Sequence, residues 1–269
     1  MIDIPLFKTT YPDAIHPSAV ISPGAEIAKN VGIGAFAVIG PKVKLSEGVR
    51  VGAHAVVDGR TTIGPRTRIS PFASIGSIPQ DLKYHGEDAE LIIGAENQFR
   101  EYCNVSIGTE GGGGKTVIGS RNLFMVYTHI AHDCVIGDDC IAANGVAMAG
   151  HVHVGDRAVL GGLSAIHQFC RIGTMAMIAG GAMVSQDVPP FTMVHGNRAV
   201  PNGLNAIGIK RAGLGTEGLA GIKNMYRLLY SENLTVEDAV TLILAEVPAA
   251  PWRDVFVEFL RKSERGVCR

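Results

Sequence analysis

The sequence predicts a mainly β protein, a left-handed parallel β-helix of hexapeptide repeats followed by a small α-helical C-terminal domain. Two observations predict the β-helix: a large apolar residue recurs at every sixth position, and a small residue follows it four positions later. A period of six would spread around an α-helix of about 3.6 residues per turn, whereas short strands joined by corners keep it on one inner wall. The 34 glycines agree, because corners often require positive φ.

The repeat runs without exception from Ile15 to Ile75, resumes at Ile93, and continues from Ile118 to Val184 with only Ala142 undersized. In such a column each coil buries the next, so no separate globular core is needed. The repeat stops near Asp187, where the following prolines cannot continue a regular strand. We therefore expect the β-helix to occupy residues 1–190 and the helical domain to occupy residues 191–269.

The helical domain is indicated by three apolar stripes with helical spacing. They comprise Leu219, Ile222, Tyr226 and Leu229, then Val236, Val240, Ile243, Leu244 and Val247, and finally Trp252, Val255, Phe256, Phe259 and Leu260. Thr235 and Asp238 form a capping signal before the second stripe. We interpret the stripes as packing faces.

Two insertions interrupt the column, at about 77–90 and 108–116. Insertions in a solenoid usually lie on one face and often carry function. The second contains Gly111 to Gly114 followed by Lys115 and Thr116, which resembles part of a phosphate-binding loop. That motif requires a glycine where Thr109 stands and a helix afterwards, so we interpret the segment as a flexible surface loop.

The composition excludes several classes of protein. A formal net charge of -1 with 18% charged residues gives no reason to expect a nucleic acid or an anionic membrane as partner. No leader pattern and no apolar run of roughly 18 residues occurs, so we expect no integral membrane segment and a cytoplasmic location. Four cysteines, Cys103, Cys134, Cys140 and Cys170, fall at small inward positions and are expected to be core residues.

The histidines indicate a site. If three hexapeptides form one triangular coil, residues 18 apart stack at about the 4.8 Å strand spacing. The hexapeptides that begin at Ile130, Met148 and Ile166 then share a face and bring together His132, Asp133, Gly150, His151 and His167, with His129 nearby.

Two chemistries suit this cluster. Neutral His132, oriented by Asp133, could serve as a general base. Alternatively, three imidazoles could bind zinc and activate water, as in β-helical carbonic anhydrases. The stacking places His132 beside Gly150 rather than beside another histidine, which favours the metal-free chemistry. A non-catalytic trimeric scaffold is a third alternative.

Five segments, QDLKY from Gln80, HIAHDC from His129, AGHV from Ala149, HQFC from His167 and QDVPP from Gln186, resemble the UDP-N-acetylglucosamine O-acyltransferases of lipid A biosynthesis. The resemblance covers nearly the whole chain. It implies transfer of an (R)-3-hydroxyacyl chain from the phosphopantetheine arm of acyl carrier protein to the glucosamine 3-position of a UDP sugar. It also implies a homotrimer with active sites between adjacent columns, and no metal or other cofactor.

By this resemblance His132 is the general base, Asp133 polarises it, and the Gly150 N–H supports the thioester oxyanion. The positions that match substrate-binding residues of the family are Asp81, Lys83, Ser106, His129, His151, His167, Gln168, Gly180, Arg198, Asn205 and Arg211.

Three positions depart from the family pattern. Ser106 and Arg198 stand where histidine is frequent, and Ala212 replaces a second arginine after Arg211. Ser106 leaves open whether the acceptor is a 3-hydroxyl or a 3-amine. Gly180 aligns with the position that limits acyl length, and its lack of a side chain predicts a chain of around 12 to 14 carbons or more. A basic stretch from Arg198 to Arg227 suits the acidic carrier protein.

Overall fold

The computed structural model describes residues 11–230 and 232–269. Residues 1–10, which the predicted β-helix domain includes, lie outside the described residues. The short strands form three sheets of nine, eight and ten strands, in which every third strand belongs to the same sheet and neighbouring strands are parallel, apart from the final antiparallel hairpin. Residues one coil apart are therefore strand partners, as in Val20 with Val38 and Val38 with Val56. The three sheets are the faces of the predicted left-handed parallel β-helix.

In chain order the strands are β1 (Val20–Ile21), β2 (Glu26–Ile27), β3 (Gly32–Ile33), β4 (Val38–Ile39), β5 (Lys44–Leu45), β6 (Arg50–Val51), β7 (Val56–Val57), β8 (Arg60–Ile63), β9 (Arg68–Ile69), β10 (Ser74–Ser77), β11 (Glu90–Ile93), β12 (Gln98–Phe99), β13 (Asn104–Ser106), β14 (Lys115–Ile118), β15 (Leu123–Phe124), β16 (His129–Ile130), β17 (Val135–Ile136), β18 (Ile141–Ala142), β19 (Ala147–Met148), β20 (His153–Val154), β21 (Val159–Leu160), β22 (Ala165–Ile166), β23 (Arg171–Ile172), β24 (Met177–Ile178), β25 (Met183–Val184), β26 (Thr192–His195) and β27 (Val200–Leu204). The helices are α1 (Ala206–Arg211), α2 (Gly215–Tyr230), α3 (Val236–Glu246) and α4 (Pro251–Arg261).

The predicted inward positions form the core of the column. The large apolar residues from Ile33 to Val184 are buried, and so are the four cysteines assigned to the small positions, which are all free thiols. Burial raises the pKa of the Cys103, Cys134 and Cys140 thiols to about 12, so these groups stay protonated. Ile15, Ile21 and Ile27 are less buried because, in the described part of the chain, their coil packs against a neighbour on one side only.

The two insertions leave the register of the column intact. Ile75 pairs with Val105 across the first insertion, and Ile93 pairs with Ile118 across the second, so each inward residue still meets the inward residue of the next coil. The second loop contains a short 3₁₀ turn (Glu110–Gly112) and runs into β14. A strand therefore follows the four glycines, and the phosphate-binding loop is excluded as predicted.

The column continues past residue 190. β26 pairs in parallel with β24 and then antiparallel with β27, so the ten-stranded sheet ends in a hairpin. Pro189 and Pro190 lie between the Val188 bridge and β26, at a corner where their missing N–H groups disturb no ladder. We retain the division at residue 190 as a proposal about domains.

The helices that carry the predicted apolar stripes pack together at the C-terminal end of the column. Thr235 caps α3 by accepting a hydrogen bond from the Asp238 N–H, as predicted. Leu244 and Val255, which were placed in packing stripes, are exposed, and α1 was not predicted. The C-terminal tail returns to the column, where Val267 bridges Asp187 and Cys268 is buried. Among the described residues, no helix combines the length and apolar character needed to cross a bilayer.

Candidate active site

The candidate site lies at the corner between the nine-stranded and eight-stranded sheets, in the turns that follow β16, β19 and β22. Ile130 pairs with Met148 and Met148 pairs with Ile166, which confirms the predicted stacking of the three hexapeptides. In this register Gly150 lies one coil above His132, and His151 lies one coil above Asp133.

His132 and Asp133 form a hydrogen-bonded pair. Nδ1 of His132 lies 2.7 Å from Oδ2 of Asp133, whose side chain is completely buried. An ionised carboxylate only accepts hydrogen bonds, so the proton of a neutral His132 is on Nδ1 and its Nε2 carries a lone pair. The imidazole is therefore arranged to accept a proton at Nε2.

The second insertion holds Asp133 in place. The Thr109 N–H donates to Oδ1 over 2.8 Å, and the Thr109 hydroxyl donates to Oδ2 over 2.6 Å. The Asp133 N–H in turn donates to the Thr116 hydroxyl over 2.9 Å. The interpretation of this insertion as a flexible surface loop was wrong in this respect, because its first residues are tied to a buried carboxylate.

Gly150 lies directly against the His132 ring. A Cβ built on Gly150 would lie 2.6 Å from Cε1 of His132, closer than side chains approach one another. Within the described part of the chain, no oxygen accepts a hydrogen bond from the Gly150 N–H. This N–H is thus a free backbone donor beside an imidazole with a free lone pair.

His151 extends the cluster by one coil. Its ring meets His132 edge-on at 5.2 Å and stacks on Phe169 at 4.4 Å, while its Nε2 lies 3.8 Å from Oδ2 of Asp133. Burial lowers the pKa of His151, an effect that Asp133 partly opposes and His132 reinforces. Burial and His132 likewise lower the pKa of His129. Both imidazoles are therefore neutral at pH 7.

Among the residues that the structure describes, one group could hold a metal ion. Ligand atoms of His132, Asp133 and His151 lie within 4.8 Å of one another. The zinc alternative required three converging imidazoles, and the structure brings together two with a carboxylate. The Asp133 carboxylate already accepts hydrogen bonds from Thr109 and contacts His132 Nδ1, so both its oxygens are engaged. The donor set fits a hydrogen-bonded base better than a metal centre.

His167 and Gln168 lie one coil further along the column. His167 stacks over Ala149 and Ala131 in the strand register, so it stands outside the three-residue cluster. It lines an open cleft of about 790 Å³ together with Gln186, Arg198 and Arg265. Arg265 reaches this cleft from the C-terminal tail, a contact that the sequence analysis did not predict.

The remaining predicted residues are more dispersed. Oδ1 of Asp81 accepts a hydrogen bond from the N–H of exposed Lys83 in a turn of the first insertion. Ser106 is buried, and in the described part of the chain its hydroxyl has no hydrogen-bond partner.

Asn205, Arg211 and Gly180 lie beyond the histidine cluster. Asn205 caps α1 by accepting from the Gly208 N–H and also donates to the Met175 carbonyl, while Arg211 is exposed at the end of α1. Gly180 is exposed at the corner between the ten-stranded and nine-stranded sheets, which is a different corner from that of His132.

Comparison with known proteins gives consistent results. The family model described as UDP-N-acetylglucosamine O-acyltransferase, domain 2, matches residues 187–268. The acyl-[acyl-carrier-protein]--UDP-N-acetylglucosamine O-acyltransferase of Aliarcobacter butzleri is 52% identical over 94% of this chain and 97% of its own length. The enzyme of the same name from Herminiimonas arsenicoxydans is 48% identical over 95% and 99% of the two chains.

Solved structures agree with these relatives. The structure of LpxA from Acinetobacter baumannii superposes with a TM-score of 0.93 at 44% identity, covering 95% of this chain and 99% of the other. The UDP-N-acetylglucosamine acyltransferase of Bacteroides fragilis superposes with a TM-score of 0.92 at 40% identity, covering 95% and 100%.

Proposed function

The chain belongs to the UDP-N-acetylglucosamine O-acyltransferase family, and on that premise we propose that it transfers an (R)-3-hydroxyacyl chain from acyl carrier protein to the glucosamine 3-position of UDP-N-acetylglucosamine, the first step of lipid A biosynthesis. The observation that carries the proposal is the arrangement of His132, Asp133 and Gly150. A lone pair on an oriented imidazole lies beside a free backbone N–H, which are the two groups that acyl transfer to a hydroxyl requires.

Nε2 of His132 takes the proton of the sugar 3-hydroxyl as its oxygen attacks the thioester carbonyl. Asp133 holds Nδ1–H and stabilises the imidazolium that forms. The carbonyl oxygen becomes an oxyanion that accepts a hydrogen bond from the Gly150 N–H. The C–S bond then breaks, the ester remains on the sugar, and the departing thiolate of the pantetheine takes the proton from His132.

These contributions have known scales. A positioned general base accelerates proton transfer by about 10² to 10⁴. Loss of one oxyanion donor costs roughly 2.7 to 4 kcal/mol of transition-state stabilisation. Neither step requires a metal ion or a covalent bond to the enzyme.

The surroundings of Gly180 support a long acyl chain. A Cβ built on Gly180 would have only the Gly162 carbonyl oxygen within 4 Å, at 3.4 Å, so the space beside this corner is open. We infer a preference for chains of about 12 to 14 carbons or more.

Exposed cations on the helical domain suit an acidic carrier protein by electrostatic attraction. Arg198, Lys210, Arg211 and Lys223 are exposed. Arg227 also belongs to the predicted basic stretch, but it is paired with Glu232 and Glu246 and contributes less net charge to this surface. We infer that the first four residues contact the acyl carrier protein.

The homotrimer is also part of the proposal. Five rings stack along the corner that ends at Gly180, namely those of Phe36, His54, Phe72, Tyr102 and Tyr127. Tyr127 is 63% exposed and Phe72 is 49% exposed, which is unusual for a continuous apolar stripe on a monomer. His132 and Gly180 lie on separate corners of one column, so a site that uses both is completed by a second copy of the chain.

The test is acyl transfer from (R)-3-hydroxymyristoyl acyl carrier protein to UDP-N-acetylglucosamine and to its 3-amino analogue, with a chelator present. We expect transfer by the wild type, a loss of roughly 10² to 10⁴ in His132→Ala, and little change in the control His153→Ala, whose exposed imidazole lies outside the cluster.

The preferred sugar distinguishes ester from amide formation. Activity that chelation abolishes would favour the zinc alternative. Absence of transfer to either sugar would overturn the assignment and favour a non-catalytic scaffold.

A further inference from the structure

His129 is the end of a chain of hydrogen bonds that runs away from the candidate active site. Its Nδ1 lies 2.8 Å from Oδ1 of Asn104, and Nδ2 of Asn104 donates to the Ser77 hydroxyl over 3.0 Å. The Ser77 hydroxyl donates to the Val105 carbonyl oxygen over 3.2 Å. Neither Asn104 nor Ser77 was singled out by its residue type or its spacing.

The chain has only one consistent direction. A serine hydroxyl has one proton, and Ser77 gives it to the Val105 carbonyl, so Ser77 accepts from the amide nitrogen of Asn104. The amide oxygen of Asn104 therefore faces His129 and accepts its Nδ1–H. In a flipped amide the Asn104 nitrogen would face His129 and the Asn104 oxygen would face Ser77. That oxygen would then require the Ser77 proton, which Ser77 already donates to the Val105 carbonyl.

The fold brings Ser77 to this position through the first insertion. β10 pairs with β13 regularly at Ile75, and the register then shifts so that Ser77 lies opposite Ser106. This irregularity places the Ser77 hydroxyl beside Asn104, whose strand pairs directly with that of His129.

Burial lowers the pKa of His129, and the neighbouring His132 lowers it further, so the imidazole is kept neutral. Asn104 pairs with it on one side in the sheet and Ala147 on the other, and His132 is the titratable group that acts on it. A neutral imidazole with a proton on Nδ1 has its lone pair on Nε2, on the side of the ring away from Asn104. His129 is thus an acceptor and not a donor toward the space beside His132.

We propose that Asn104, supported by Ser77, is a positioning residue that fixes His129 as a hydrogen-bond acceptor for a hydroxyl or amide N–H of the sugar substrate. The substrate role rests on the proposed function, whereas the tautomer of His129 does not. The sugar that receives the acyl chain must therefore present a hydrogen-bond donor to Nε2 of His129. A sugar group that can only accept hydrogen bonds would leave the desolvated Nε2 lone pair without a partner.

The first experiment is independent of catalysis. In protein labelled with ¹⁵N-histidine, the two ring nitrogens of His129 are assigned by comparison with His129→Gln. We expect the Nδ1–H tautomer in the wild type near pH 7.5, and a mixture of tautomers in Asn104→Leu, which has a similar shape and no hydrogen-bonding group. A wild-type His129 with its proton on Nε2 would overturn the proposal.

The second experiment measures kinetics. We expect Asn104→Leu to raise KM for the UDP sugar roughly tenfold with a smaller change in kcat, and Ser77→Ala to have a weaker effect in the same direction. Asn104→Asp should move the acidic limb of the pH profile for kcat/KM to higher pH, because a carboxylate favours protonated His129. A residue that only maintained the fold would not move this limb.

Asn30→Leu is the control, because Asn30 is exposed at the corner between the eight-stranded and ten-stranded sheets, away from the cluster and from the Gly180 corner. Wild-type KM and pH profile in both Asn104 variants would contradict the proposal. An enzyme with the expected tautomer but no acyl transfer would instead contradict the proposed function.

Discussion

The imidazole of His132 lies so close to the backbone of Gly150 that a Cβ there would come within 2.6 Å of Cε1 and 2.7 Å of Nε2. The two residues belong to neighbouring coils, so one coil of the column forms the floor for the ring of the other. The position of the proposed base is thus set by the absence of a side chain as well as by the hydrogen bond to Asp133.

Gly150→Ala tests this contact. The new methyl group should displace the His132 ring from its hydrogen bond and from the substrate, and we expect acyl transfer to fall by about 10². Gly150 has no positive φ, so the backbone accepts alanine and the folded content measured by circular dichroism should be unchanged. Full activity in this variant would show that the ring tolerates another position.

Gly112→Ala tests the role of the second insertion. A Cβ on Gly112 would lie 1.9 Å from Cγ of Asp133, whereas a Cβ on neighbouring Gly111 would meet no atom within 4 Å. We expect Gly112→Ala to lower kcat at least tenfold by moving the carboxylate, and Gly111→Ala to be the matched control with nearly normal kcat. Equal rates in the two variants would mean that the loop does not position Asp133.

Asp133→Asn tests the orientation of His132. An amide of the same shape can no longer stabilise the imidazolium. It can also donate an N–H to Nδ1, which favours the tautomer whose proton is on Nε2 and which therefore cannot act as a base there. We expect kcat to fall by about 10² to 10⁴ while KM for the UDP sugar changes little. A change confined to KM would assign Asp133 to substrate binding instead.

The neutral histidines predict a dependence of stability on pH. Burial lowers the pKa of His129 and His151 below 6.5, so the unfolded chain binds more protons as the pH falls through 6.5 toward the folded values. The contribution of these two histidines to the free energy of unfolding should be fully present above pH 6.5 and should decline as the pH falls below 6.5. In urea unfolding at pH 7.5 and pH 5.0, the fall in midpoint should be smaller for His151→Gln than for wild type. The exposed control His85→Gln should behave like wild type, and an identical fall in all three would contradict this linkage.

The stacked aromatic corner predicts self-association. Replacing both Phe72 and Tyr102 with serine removes two rings from the middle of the stack and should lower the molar mass measured by light scattering from that of a trimer. Arg157→Ser, at the corner between the eight-stranded and ten-stranded sheets, is the control and should remain associated. A trimer in both variants would place the interface elsewhere.

Much of the fold was predictable because a solenoid uses local rules repeatedly. The six-residue spacing from Ile33 to Val184 determined which side chains point inward, and the stacking of every third hexapeptide correctly placed Gly150 over His132. Thr235 marked the start of α3 by its own side chain. The short helix α1 was missed, since it offers too few turns for a periodic pattern.

The sequence by itself determined the coils, their inward faces and the histidines on one corner, because each depends on fixed spacing along a regular ladder. Only the tertiary structure decided which residues support those histidines. Thr109 reaches Asp133 across an insertion of irregular conformation, and Ser77 reaches Asn104, the strand partner of His129, where the register between β10 and β13 shifts. Loops and register shifts have no period, so these contacts are set by the packing of the whole column.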